Sequence, residues 1–358
     1  MKVALVCDDL IQNGGHEKVI LDFCEIFPDA PLYTTVATLK WKNICDKKNI
    51  KLKTTWIQYL PFITKLQRFY APFGFYIWAL QGIDFSQYDF VISLSSRFAH
   101  GIKTKSKHIC YMSTVGRMFW ESTNYFKNEK IGILGKTFLA PFLTAIRVWD
   151  YNAGQRPDYF LCNSKTTQNR IKKYYRREAK IIYPAIDTEE FSKKVDYPEK
   201  DYFLVLTRLA HWKRVDVAVD ACRNLGLDLK VAGSGPAIGN SKVYLGRVSE
   251  EEKIALLQNC IALINTQLED FGIVPLEAMV CGKPIIAYGR GGALETVVEG
   301  VTGEYFNKQT SESLEKVLKS FDPKKYSESN CKKQAAKFDI KIFREDIQSF
   351  VDNVYLEG

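Results

Sequence analysis

The chain has no run of about 18 apolar residues, so it offers no helix able to span a bilayer. It has no CxxC pair. Its nine cysteines (Cys7, Cys24, Cys45, Cys110, Cys162, Cys222, Cys260, Cys281 and Cys331) stand singly and are odd in number. That excludes a zinc ribbon or a disulfide scaffold and predicts reduced thiols filling the cores of a cytoplasmic protein. There is no helix-turn-helix pattern and no arginine-rich tail, so the net charge of +9 does not argue for nucleic acid. It suits a phosphorylated substrate or an acidic lipid surface instead. The opening MKVALVCDDL has acids directly after a short apolar run, which predicts a first strand rather than a signal peptide. Residues 51–83 hold no Asp or Glu at all.

What is present is a repeated alternation of short apolar strands with helical patterns. VALVCDD, FVISLS, YFLCN and KIIYPAID read as strands of a first series. YFLVLT, LKVAGSG, KVYLG, IALINT and KPIIAY read as a second series, with helices near Val215–Leu225, Glu250–Asn259 and after Pro275. Strands alternating with helices predict parallel sheets covered on both faces. At 358 residues with 46% hydrophobic residues, two cores are affordable. The expected organisation is an α/β chain of two doubly wound domains, residues 1–183 and 184–339, and a closing amphipathic helix over 340–358.

In open parallel sheets ligands bind beyond the carboxyl ends of the strands. In this sequence those ends are followed by Asn13-Gly14-Gly15, Arg208 to Lys213, Gly233-Ser234-Gly235, Glu269-Asp270 and Gly289-Arg290-Gly291-Gly292. Glycines, cations and acids therefore gather at one edge, beside an expected interdomain cleft. The stretch EDFGIVPLEAM sets Glu269 and Glu277 eight positions apart, with Pro275 expected at the first helical position and Glu277 in the first turn. The amides of Gly272, Ile273 and Val274 would then form an anion cradle flanked by two acids. Such a cradle fits a ligand that is part sugar and part phosphate. Arg208 can chelate two phosphate oxygens and Lys213 supplies a point charge. Alone, either cation reads first as a solvated surface charge, the usual fate of charges in such loops. The glycine pairs read either as tight turns or as places where a ligand approaches backbone, GSGP at 233–236 and GRGG at 289–292 included.

Residues 51–83 carry Lys51, Lys53, Lys65 and Arg68 together with nine aromatics: Trp56, Tyr59, Phe62, Phe69, Tyr70, Phe73, Phe75, Tyr76 and Trp78. Either they touch the headgroups of an anionic membrane or they form an insertion packed on the first sheet. The stretch 134–149 repeats the character more weakly.

In their order along the chain, TRLAHWKRVD, VAGSGP, YLGRVS, the E-x7-E unit, EAMVCGKPIIAYGRGGALETV and VTGEYF resemble the donor domain of retaining glycosyltransferases of family 4, which have the GT-B fold. More narrowly, LTRLAHWKRVDVAV and FGIVPLEAMVCGKPIIAYGRGGALETV resemble bacterial mannosyltransferases of polysaccharide and O-antigen assembly. The resemblance implies two Rossmann-like domains facing across a cleft, a nucleotide-diphosphate sugar (GDP-mannose) as donor, and a glycan or lipid-linked acceptor. It implies no bound cofactor, and no Asp-x-Asp metal motif falls at the expected site. Arg208 and Lys213 would hold the diphosphate. Glu269 would bind sugar hydroxyls, with the amides of Phe271 and Gly272 assisting, and Glu277 would bind the ribose. Val248 would lie by the base, and Gly14, Gly15, Gly233, Gly291 and Gly292 would line the donor. The closing helix would return to the first domain.

One departure stands out. Similar mannosyltransferases carry His-Thr-Pro followed by Arg and an aromatic. Here YMSTVGRMFWE supplies Thr114, Arg117 and Trp120, but Ser113 occupies the His position. Ser113 or a nearby His takes its role, the donor differs (a UDP-sugar, for instance), or the protein binds nucleotide sugar with little turnover.

Overall fold

The computed structural model describes residues 1–12, 14–122, 132–195, 201–235 and 242–356. Asn13 and Pro236, which belong to two of the glycine turns, lie outside them. The side chains of Arg68 and Phe69 in the basic–aromatic stretch, and of Leu134 and Lys136, are likewise outside the described set.

The chain divides into two units, Met1–Tyr183 with the segment from Ile347 onward, and Pro184–Asp346. Unit 1 holds a sheet of seven strands: β1 (Val3–Cys7), β2 (Leu32–Thr34), β3 (Leu52–Thr54), β4 (Phe90–Ser95), β5 (Lys107–Met112), β6 (Tyr159–Cys162) and β7 (Lys180–Ile181). Their spatial order is β3-β2-β1-β4-β5-β6-β7, and each neighbouring pair is parallel. Unit 2 holds six: β8 (Tyr202–Leu206), β9 (Leu229–Ala232), β10 (Tyr244–Gly246), β11 (Cys260–Asn265), β12 (Ile285–Tyr288) and β13 (Gly303–Phe306). Their order is β10-β9-β8-β11-β12-β13, again all parallel. The strands β1, β4 and β9 are buried throughout, as expected for sheets covered on both faces. The order reverses between β1 and β4 in one sheet and between β8 and β11 in the other. These are the switch points where a doubly wound sheet opens a crevice.

The helices Val215–Leu225 and Glu250–Asn259 stand where the sequence predicts them. The second starts with a capping box, in which Ser249 and Glu252 satisfy each other's free backbone amides. The Pro275 helix is displaced. It begins at Ile273 behind Gly272, so Pro275 is the third helical residue and Glu277 falls in the second turn. Proline is tolerated there because none of the first amides has an intrahelical acceptor. The stretch GGALETVV holds a helix of one turn, Ala293–Thr296. Strands β2, β3, β5 and β13 were not expected. β2 and β3 are three residues long, and β5 hides a charged end and a histidine in KHICYM, although His108 is buried. All nine cysteines are unpaired, and every one but the half-buried Cys281 is fully buried.

The last helix, Ile340–Leu356, contributes its residues to Asp346 to unit 2 and those from Ile347 to unit 1. In unit 1, Phe350 meets the Tyr159 ring edge-on at 5.8 Å and Tyr355 meets Phe90 at 5.9 Å.

Candidate active site

The unit 2 site is built from the chain leaving β8 and β11. After β8, Thr207 donates its amide to Ala232 O and Leu209 to Ser234 O, so this exit runs alongside the segment after β9. Gly233, at φ +147°, is required by that approach: a Cβ there would strike the carbonyl oxygen of Thr207. The glycine is thus needed where the two loops meet. A short 3-10 turn, His211–Lys213, then leads into the helix Val215–Leu225.

Lys213 is buried, and its ammonium forms an ion pair with Glu269 Oε1. The ammonium also lies 4.2 Å from the centre of the Trp212 ring. Its backbone is held from the other side of the switch point, where Thr266 Oγ1 donates to Lys213 O at 2.9 Å. Glu269 accepts a second bond from Gln267 Nε2 at 3.1 Å, and Gln267 Oε1 accepts from Thr207 Oγ1 at 2.7 Å. A continuous polar chain therefore crosses from the end of β8 to the end of β11, ending in an ammonium and a carboxylate. Arg208 is exposed, with its guanidinium 6.0 Å from the same Trp212 ring.

The Glu269 turn is braced from β12. Gly292 donates to Glu269 O at 2.9 Å. A Cβ on Gly291 would strike that same carbonyl, and one on Gly292 would strike Phe271 O. These two glycines, like Gly233, are explained by backbone contact. Phe271 itself is buried and packs on Phe338 at 5.6 Å, while Val248, Ile273 and Val274 are half-buried against the same core. The side chains of Phe271, Ile273 and Val274 anchor the helix start against this core. Gly272, which precedes the helix, has no side chain of its own to cap it.

Glu277 is buried and accepts from Lys253 Nζ at 3.3 Å. Lys253 also pairs with Glu250 at 2.6 Å and lies over the Phe191 ring. Burial alone would lower the Lys253 ammonium, but the Glu277 and Glu250 carboxylates outweigh it and hold its pKa above the ordinary lysine value. Sequence reasoning missed both Lys253 and Gln267. Neither belongs to a recognisable motif, and only folding brings Lys253 to a carboxylate 24 residues away.

In unit 1, Gly14 and Gly15 are exposed at the start of the helix Gly15–Ile26, and Gly14 has an ordinary extended φ of −154°. His16, next in line, makes a 2.8 Å hydrogen bond between its Nδ1 and Ser113 Oγ. The structure thus sets an imidazole against the serine that departs from the family pattern. Thr114 is half-buried, with its hydroxyl on Val115 O at 3.3 Å. Arg117 opens the one-turn helix Arg117–Trp120. Trp120 faces inward, donating Nε1 to Asp150 Oδ2 at 2.6 Å and stacking on Tyr174 at 4.6 Å.

Beside His16, the buried Asp8 accepts amide bonds from Ser96, Arg97, Phe98 and Ala99 at 2.6 to 2.9 Å, fixing the chain after β4. Burial pushes its carboxyl up, yet Arg97, His16 and those amides hold it below the ordinary aspartate value. Asp9 pairs with Arg97 and still lies above its ordinary value, because burial dominates. Asp8, Asp9 and Arg97 were also missed. An acid pair directly after a first strand carries no signal without its distant partner.

Comparison with known proteins follows this division. Residues 187–338 match the family described as "Glycosyl transferases group 1". An alpha-1,3/1,6-mannosyltransferase of Dictyostelium discoideum is 28% identical over 254 residues, covering 54% of this chain and 60% of that protein. The Homo sapiens alpha-1,3/1,6-mannosyltransferase is 28% identical over 216 residues, covering 48% of this chain and 52% of that protein. The chain thus spans only part of the length of these curated relatives. The crystal structure of Anabaena Alr3699/HepE in complex with UDP superposes with a TM-score of 0.72 at 17% identity, over 99% of this chain and 100% of that one. The fold is GT-B, and the family match with the mannosyltransferase relatives supports a glycosyltransferase.

Proposed function

We propose that this chain is a retaining hexosyltransferase of family 4 that moves mannose from GDP-mannose to a hydroxyl of a glycan or lipid-linked acceptor. The observation that carries the reading is the Lys213–Glu269 pair at the β8/β11 switch point, next to an uncapped helix start. A cation, a hydroxyl-accepting acid and outward amides are what a sugar diphosphate needs. The mannosyltransferase relatives favour the sugar.

In this mechanism the donor diphosphate takes Lys213 away from Glu269 and engages Arg208 and the amides of Gly272 to Val274. Glu269, released, accepts hydrogen bonds from the sugar hydroxyls, and Glu277, positioned by Lys253, accepts from the ribose. The bond from the anomeric carbon to the diphosphate oxygen breaks as the acceptor oxygen attacks from the same face. The acceptor proton passes to the departing diphosphate. The protein's contribution is positioning and stabilising the charge on the leaving group. In unit 1, His16, oriented by Ser113, supplies the imidazole that the family pattern leads one to expect at position 113. The reaction is expected to proceed in the presence of a chelator.

A second reading, a UDP-sugar donor, is favoured by the likeness to a structure solved with UDP. Thermal shift against a panel of sugar nucleotides separates the two. Selective stabilisation by GDP compounds supports the first reading and by UDP compounds the second. Incubation with labelled GDP-mannose and a lipid-linked oligosaccharide then tests transfer itself. Retention of label on the donor across the whole panel would overturn the enzymatic reading.

A further inference from the structure

Unit 1 carries large apolar side chains in water. Tyr59 is 85% exposed, Phe62 70%, Phe138 63%, Trp78 61%, Trp56 49% and Leu66 44%. They sit on or just before the short helices Trp56–Tyr59, Ile63–Tyr70 and Phe75–Gln81, the last two packing on the first, and on the long helix Ile133–Ala153, which packs on the intervening turn Ala71–Phe73. Ring contacts join them. Phe75 lies 6.3 Å from Trp56 and 5.8 Å from Trp78, and Phe142 lies 5.1 Å from Phe73 and 5.7 Å from Phe138. The solvent side of the long helix continues the surface. Phe138, Pro141, Thr144, Ala145 and Val148 recur at helical spacing, are all exposed, and include no charge. A surface helix ordinarily turns its charged side to water. An aromatic and aliphatic expanse of this kind marks an interaction site.

We infer that this surface of unit 1 docks on an anionic lipid bilayer, with Tyr59, Phe62 and Phe138 entering the headgroup layer. Charge selects this occupant over a second copy of the chain. Residues 51–83 hold the exposed Lys51, Lys53 and Lys65 and no acid, so a symmetric pairing of two such surfaces would set like charges together. Anionic headgroups neutralise them. Exposed Trp and Tyr suit the bilayer–water boundary, where a polar tip stays wet and the ring is buried. No helix among the described residues is long and apolar enough to cross a membrane, so the contact lies in the interface plane.

The inference goes beyond the proposed reaction and needs no donor or transfer, so the two can fail separately. The test is co-sedimentation of the full chain with phosphatidylcholine vesicles and with vesicles containing phosphatidylglycerol. The wild type should partition onto the anionic vesicles and be released by salt. The triple variant Tyr59→Ser, Phe62→Ser, Phe138→Ser should lose about tenfold or more in partitioning. Lys65→Glu should weaken binding to anionic vesicles alone. Tryptophan quenching by brominated acyl chains, diminished in Trp56→Phe with Trp78→Phe, gives a second readout if the triple variant melts early. Equal partitioning of wild type and a folded triple variant would overturn the inference, as would a dimer in solution that the triple variant abolishes without any vesicle binding.

Discussion

Lys213 and Glu269 occupy each other, and that pairing sets what single substitutions do. A diphosphate carries more negative charge than one carboxylate and so competes for the ammonium. Removing a pre-organised contact to a charge that grows in the transition state costs ~3 kcal/mol. Lys213→Ala is therefore expected to lower kcat about a hundredfold, read in a transfer assay at saturating donor. Wild-type turnover in that variant would remove Lys213 from the mechanism. At Lys253 the effect is on stability. Its side chain is 15% exposed and that of Glu277 only 6%, so Lys253→Met leaves a buried carboxylate without its ammonium partner. We expect a loss of about 3 kcal/mol in urea unfolding, and a smaller additional loss when Glu277→Gln is combined with it. Additive losses in that double-mutant cycle would show that the two do not act as a pair. Arg208, Lys213, Glu269 and Glu277 could be read from their motifs. Lys253, Gln267 and His16 could not, because their meaning lies in partners far along the chain.

Among elements, the loops matter more than the strands. The glycines of GSGP and GRGG drew notice as possible ligand approaches, but the structure spends Gly233, Gly291 and Gly292 on contacts with the carbonyls of neighbouring loops. They act on the site by fixing the turns that carry Thr207 and Glu269. Gly292→Ala forces a Cβ onto Phe271 O, so the turn and the Ala293–Thr296 helix must shift. Overpacking of this kind costs about 1–3 kcal/mol. The variant should melt lower and also lose donor affinity, as measured by calorimetric titration with GDP. Lower melting with unchanged affinity would mean the brace is structural only. The two-residue displacement of the Pro275 helix start has the same lesson. Proline marks the first turn but not which of its positions it fills, since none of the first three amides has an intrahelical acceptor.

The whole molecule responds to acid through buried histidine. His108 sits inside unit 1 with Nε2 on Ser93 Oγ at 2.8 Å, and burial, aided by His100 and Arg156, pulls its pKa down to about 3. Its unfolded value is about 6.5. Between these the unfolded chain binds a proton that the fold refuses, so acid favours unfolding through this group. Stability should be full above about pH 6.5 and fall towards pH 4, by up to about 1.4 kcal/mol per pH unit from His108. Urea midpoints across that range check it, and His108→Gln should flatten the dependence. An identical slope in the variant would assign the loss to other groups. The alternation of apolar runs with helical patterns already determined two parallel α/β sheets, because period and burial are local properties of a chain. The same is true of the strand ends that carry glycines, cations and acids. Only the tertiary structure decided the strand order and its two switch points, the pairing of Lys213 with Glu269 and of His16 with Ser113, and which aromatics of residues 51–83 face water. Those depend on contacts between residues tens of positions apart, and no local pattern records where a distant side chain comes to rest.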